Sequence, residues 1–293
     1  MRTPRTPVLA ALTVFAVVAI AIGISGLIVT PGPASPALAD GAAAPAGPAA
    51  SAAPEPTGPS EPPPRSPEDP AMPPAEGFTA LGVAVYDRTE ERLALSHRPD
   101  AEFTSASLVK LLIAFEALEG GEPADRVRVM LAQSHDAIAG EFWVAYGGTA
   151  IVTRWADRLG LAATRPPGSP NRWGDTILTA EDVVRIYRYL LDEAPGRIRE
   201  PVLGALRTTT NFGADGFDQY FGVPYAAGRT RWAAKQGWSC CRWDRVLHTT
   251  GLLGAGDRFI TVVLTAGPVG ESWTAAAERL TGLVSRIMRA IRV

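Results

Sequence analysis

Residues 31–76 hold 15 of the chain's 26 prolines, interleaved with Ala, Gly, Ser and Glu. A stretch of this composition cannot bury enough apolar surface to offset the entropy of ordering itself, and its prolines favour extended polyproline II segments. It therefore divides the 293 residues into three parts that fold independently or not at all. Before it, residues 8–29 form 22 uncharged residues preceded by Arg2 and Arg5. After it, ordinary mixed composition runs from residue 77 to 293, which is enough chain for one globular domain with a sizeable core.

The apolar run is long enough to span a bilayer as a helix at about 1.5 Å per residue. The two arginines ahead of it, with no further basic residue until Arg65, place the N-terminus inside and the remainder outside. A cleavable signal peptide is the rival reading, since Ala37-Leu38-Ala39 before Asp40 fits a small-residue cleavage site. Both readings export residues 77–293, the first as a membrane-tethered domain and the second as a secreted one. In the first, the linker is a semi-rigid spacer that holds the domain off the membrane.

A net charge of −2 without a basic block argues against a nucleic-acid partner. The only cysteines, Cys240 and Cys241, are adjacent, and outside the cytoplasm they form a vicinal bridge or stay as two thiols. The three histidines, His97, His135 and His248, are scattered. No ligand set for a metal is expected, and no cofactor.

Within the domain, residues 79–87 (TALGVAVYD) and 92–96 (RLALS) read as strands around a polar turn. Ser105-Ala106-Ser107 leads into the apolar helix LVKLLIAFEALE, which ends at Gly120-Gly121. Residues 124–133, 137–146, 149–159 and 180–192 read as further helices, the last with Thr179 and Asp182 as a capping box. Residues 160–178, with three prolines, form a long loop of the kind that borders a site. Strands at 230–236, 245–253 and 258–266 follow, the last two joined by a hairpin at 254–257, and an amphipathic helix closes the chain at 274–291. This order predicts an α+β fold: an antiparallel sheet of about five strands built from both ends of the domain, flanked by helices, with a reduced all-α insertion between.

Against 26 arginines the chain keeps only two lysines, Lys110 and Lys235. Arginine stays protonated in a protein, whereas a desolvated lysine can lose its proton and act as a base. Ser107 and Lys110 are three residues apart at the start of the apolar helix, on one face, with backbone N–H groups at hand for a developing oxyanion. The apolar neighbours of Lys110 predict burial and a depressed pKa. Ser134-His135-Asp136 follows a helix and also reads as an ordinary helix end. Lys235-Gln236-Gly237 lies on a strand and also reads as an edge-strand lysine.

Together and in this order, these segments resemble the three signatures of penicillin-binding proteins and serine β-lactamases, S-x-x-K, S-D-N and K-T-G. The resemblance covers residues 78–293, and the order of strands and helices is similar too. The interval from Ser107 to Lys235 suits the smaller, class A-like members. Lys235-Gln-Gly-Trp, followed by His248-Thr-Thr-Gly251, is similar to actinobacterial serine hydrolases of this group.

The resemblance implies that Ser107 is the nucleophile of an acyl-enzyme and Lys110 its base. Ser134 would pass a proton to the leaving nitrogen. Lys235 would keep its proton, hold the substrate carboxylate and help keep Lys110 neutral. The N–H groups of Ser107 and Trp238 would form the oxyanion hole, with Asp136, Gln236 and Gly237 lining the substrate site. The implied substrates are β-lactams or D-alanyl cell-wall peptides. The chain departs from the pattern at Asp136, in place of Asn, and at Gln236, in place of Thr. Asp136 either raises the pKa of both lysines, points away, or pairs with Lys235 alone. The loop 160–178 has no glutamate, so the E-x-x-L-N motif that activates the deacylating water in class A enzymes is missing. The same departures fit an alternative: a membrane-tethered envelope-binding module that keeps the fold without catalysis.

Overall fold

The central strands of the domain are almost wholly apolar, and they are covered on both faces. Ala80–Asp87 (β1) pairs antiparallel with Arg92–His97 (β2) on one side. On its other side β1 pairs with Phe259–Gly267 (β7), Ala80 opposite Ala266 and Asp87 opposite Phe259. Arg245–Leu253 (β6) joins β7 to Trp232–Ser239 (β5), giving one antiparallel sheet of order β2-β1-β7-β6-β5. The expected assembly of one sheet from both ends of the domain is what forms. The computed structural model describes residues 71–240 and 244–293, all within the unit Pro62–Val293. The apolar run 8–29, the site at Ala37–Ala39, most of the linker and Cys241 lie outside the described residues. Among the described residues no helix is long and apolar enough to cross a membrane. Met72 and Ala75, which composition assigns to the linker, pack against the sheet's second core, so packing starts before residue 77.

Eight helices complete the described fold. On one face lie Lys110–Glu119 (α1), Ala124–Ala132 (α2), Asp136–Ala145 (α3), Thr149–Leu159 (α4), Ala180–Arg188 (α5) and Gly196–Arg207 (α6). Val223–Ala227 (α7) and Trp273–Ala290 (α8) cover the other face. Nearly every side chain of α1 is buried, as expected of a helix that is apolar all round. That burial puts Lys110 inside the core rather than on a surface stripe. α6 escapes a sequence reading because Pro201 lies within it and reads as a breaker.

The capping box at α5 is half formed. Thr179 Oγ1 accepts from the Asp182 N–H at 3.2 Å. The Asp182 carboxylate instead accepts from the Ala162 and Ala163 N–H groups and from Thr164 Oγ1, anchoring the start of the 160–178 loop. The far end of that loop is tied by Phe103–Thr104 (β3) pairing with Ile177–Leu178 (β4). Two-residue strands carry no periodicity, so the sequence does not announce them.

Candidate active site

Ser107 sits in a 3-10 turn, Ala106–Val109, that runs directly into α1. Sequence reading puts it on the α-helix itself. The tighter turn matters, because side chains at i and i+3 eclipse in a 3-10 helix. Lys110 Nζ accordingly reaches Ser107 Oγ at 2.6 Å. Ala106 holds a left-handed φ of 45°, and the turn is fixed from outside by the loop 160–178. The Ser105 N–H donates to Thr176 O at 2.7 Å, and Ser105 Oγ donates to Gly174 O at 3.2 Å.

Ser134 stands at the C-terminal end of α2. The His135 N–H donates to Met130 O and the Ser134 N–H to Leu131 O, the pairing of a Schellman motif. Its left-handed residue is Ser134 itself, with φ 51°, a position where glycine is usual. The ordinary reading of Ser134-His135-Asp136 as a helix end is therefore correct, and the same geometry turns the hydroxyl inward. Ser134 Oγ accepts from Lys235 Nζ at 2.9 Å and lies 3.5 Å from Lys110 Nζ. Lys235 projects from β5 and also donates to Gln236 O at 3.0 Å. Beneath it, Tyr187 OH and Thr250 Oγ1 are 2.9 Å apart, and Thr250 donates to Lys235 O.

Ser107, Lys110, Ser134 and Lys235 thus meet in one hydrogen-bonded chain, and Lys110 and Lys235 are 0 and 1% exposed. Burial, the largest cause, holds Lys110 below the ordinary lysine value, against the opposing charge and hydrogen bond of Asp136. Lys235 is pushed well below it, by burial first and by the charge of Lys110 second. Burial thus disfavours the charged form of both lysines.

Asp136 opens α3, and its Oδ1 accepts from Lys110 Nζ at 2.6 Å. It neither points away nor pairs with Lys235. It raises the Lys110 pKa as expected of a neighbouring carboxylate, but burial outweighs it. Gln236 corrects the sequence reading more sharply. It is fully buried on the opposite face of β5, where Nε2 donates to Gln219 O and Phe221 O at 3.1 and 2.7 Å. No substrate in the cleft can reach it. Strand alternation beside Lys235 and Gly237 was the signal that could have shown this.

Gly237 faces the nucleophile turn, and a Cβ there would lie 3.1 Å from Ser105 O and 3.3 Å from Leu108 Cγ. Trp238 stacks on Phe217 with centroids 4.6 Å apart, and its Nε1–H donates to Asp215 Oδ2 at 3.0 Å. It forms one wall of a cavity of about 330 Å³, with Ser107, Asp136 and Trp173 among the other walls. Trp173, from the loop 160–178, lies over Lys110 Nζ at 4.4 Å from the ring centroid. Neither Trp173 nor Asp215 belongs to a recognisable motif, although the long loop itself signals proximity to a site. Both oxygens of Asp175, in the same loop, accept from Arg172. Among the described residues no cluster of His, Cys, Asp and Glu could hold a metal. Cys240 is disulfide-bonded, and the chain's only other cysteine is Cys241.

No protein-family model matches the chain. Proteins of Mycobacterium bovis and Mycobacterium tuberculosis named "Putative lipoprotein LppW" are 37% identical to it over 205 residues, covering 66% of this chain and 65% of theirs. The chain thus spans somewhat under two thirds of the length of these curated relatives. Among solved structures, a class A β-lactamase from Mycobacterium abscessus superposes with a TM-score of 0.62 at 17% identity, covering 74% of this chain and 95% of the other. A β-lactamase from Burkholderia vietnamiensis gives 0.62 at 20% identity, covering 73 and 91%. An ancestral class A β-lactamase gives 0.60 at 18% identity, covering 73 and 95%. The domain therefore has the class A β-lactamase fold.

Proposed function

We propose that the domain is an extracytoplasmic serine hydrolase that forms an acyl-enzyme at Ser107 with β-lactams or D-alanyl peptides of the cell wall. The observation that carries this reading is the 2.6 Å contact between Ser107 Oγ and a buried Lys110 Nζ. A lysine desolvated to this extent can accept the serine proton as Oγ attacks a carbonyl carbon. Lys110 then returns that proton through Ser134 to the departing nitrogen, as the carbon–nitrogen bond breaks. The Ser107 and Trp238 N–H groups are the oxyanion donors in this scheme. Lys235, beside Ser134, is the partner for a substrate carboxylate. A lipoprotein among the relatives supports a place at the membrane outside the cytoplasm. In this chain the anchoring is assigned to the apolar run 8–29.

The test is covalent labelling of the purified domain with a fluorescent penicillin. Label on the wild type and none on Ser107→Ala is the expected result. No label on the wild type, or equal label on both, overturns the reading. One observation favours an envelope-binding module without catalysis: Asp136 opposes the loss of the Lys110 proton. That module would bind wall fragments equally well as the wild type and as Lys110→Ala.

A further inference from the structure

The loop 160–178 presents an indole to Lys110, with no glutamate to prepare a water for hydrolysis of an acyl-enzyme. Of the carboxylates in the cleft, Asp175 has both oxygens engaged by Arg172. Asp136 lines the same cavity and differs in two ways. Its side chain is 70% exposed against 20% for Asp175, and only its Oδ1 is engaged, by Lys110. Oδ2 has no hydrogen-bond partner among the described residues.

We propose that Asp136, projecting from the first turn of α3, is the general base that activates the deacylating water. The proposal rests on the acyl-enzyme reading above and adds the step that regenerates the free serine. Water held by Oδ2 attacks the ester carbon of the Ser107 acyl group and gives a proton to the carboxylate. The tetrahedral intermediate collapses with cleavage of the carbon–Oγ bond. The carboxyl group rotates to present this proton to Lys110, which protonates Ser107 Oγ across their 2.6 Å contact and takes the Asp136 proton in exchange. The product is a carboxylic acid, and both Asp136 and Lys110 end as they began. The same carboxylate that makes Lys110 harder to deprotonate thus gives the site a route to turnover, through a residue on α3 rather than on the loop.

The experiment follows the adduct of a β-lactam on the purified domain by intact mass spectrometry over time, together with release of the hydrolysed ring. It compares wild type, Ser107→Ala, Asp136→Asn and Asp136→Glu. Asp136 also contacts Lys110, so its replacement changes the rate of acylation, and the decay of the adduct is therefore measured separately from its formation. The expected result is an Asp136→Asn adduct that decays at least about 100-fold more slowly than the wild-type adduct, with partial rescue by Asp136→Glu. An adduct on Asp136→Asn that decays at the wild-type rate overturns the proposal. So does a wild-type adduct that never decays, or an Asp136→Asn protein that no longer acylates. No adduct and no hydrolysis on the wild type instead overturns the acyl-enzyme reading itself.

Discussion

Lys235 Nζ lies 2.9 Å from Ser134 Oγ, joining the edge strand β5 to a left-handed residue at the end of α2. The contact asks the chain to place serine where a Schellman motif prefers glycine. A left-handed conformation costs a residue with a Cβ roughly 1–2 kcal/mol. Ser134→Ala and Ser134→Gly both remove the hydroxyl, so both should slow penicillin labelling by about 100-fold or more. Only the glycine variant relieves the backbone. Thermal unfolding should therefore find Ser134→Gly more stable than Ser134→Ala by about 1 kcal/mol, opposite to the order in a helix interior. Equal stability of the two variants would mean that the φ at 134 carries no strain.

Trp173 covers Lys110 and supplies part of the burial that lowers its pKa. The ring also attracts the ammonium form, by about 0.5–2 kcal/mol in general, which acts the other way. Burial is the largest cause at Lys110, so hydration should dominate in Trp173→Ala. The acid limb of the labelling rate should move to higher pH, and labelling at neutral pH should slow. A shift to lower pH would show that contact with the ring outweighs its exclusion of water.

The four residues of the hydrogen-bonded chain were legible because each constraint on them is local. Ser107 and Lys110 are fixed by one helical turn, Ser134 by a helix end and Lys235 by a strand. A sheet built from both ends of the domain brings the last to the first three. What the sequence did not disclose depends on side chains meeting from elements without a pattern of their own. Trp173 reaches Lys110 from an irregular loop, and Asp215 reaches Trp238 from another. The pairing of Asp136 with Lys110 rather than Lys235 depends on where α3 begins relative to α1, which no spacing in the chain encodes. Gln236 is a different case, since the period of two was present and assigns it to the far face.

Gly237 is required by the close passage of β5 against the nucleophile turn rather than by its own backbone conformation. In Gly237→Ala the new methyl would meet Ser105 O, Leu108 Cγ and Ala106 Cβ at 3.1–3.4 Å. The strand must then move away from Ser107, at a cost of about 1–3 kcal/mol for an overpacked site. Because the N–H of Trp238 follows directly, labelling should fall even under conditions where the variant is fully folded. Circular dichroism establishes the folded fraction, and the labelling rate per folded molecule is the quantity to compare. An unchanged rate per folded molecule would separate the oxyanion donor from this contact.

His248 is fully buried on β6, and burial keeps it neutral. Its Nδ1 accepts from the Thr265 N–H at 3.2 Å, so the proton resides on Nε2 and is donated to Thr104 O at 2.9 Å. Protonating Nδ1 would set a second donor against the Thr265 N–H, and burial penalises the charge; together these oppose ionisation. The pKa is lowered from 6.5 to about 4, chiefly by burial. In the unfolded chain the ring takes up a proton near pH 6.5, whereas the folded protein resists until about pH 4. Stability from this group is therefore complete above pH 6.5 and is lost as the pH falls towards 4, by roughly 3 kcal/mol in all. The buried Asp87, whose pKa is lowered by the hydrogen bond from Arg258, loses its contribution only below 3.8 and does not overlap that window. Melting temperatures of the wild type should thus fall between pH 6.5 and 4, whereas those of His248→Asn should start lower and change less across the same range. Parallel curves for the two proteins would assign the acid sensitivity to other groups.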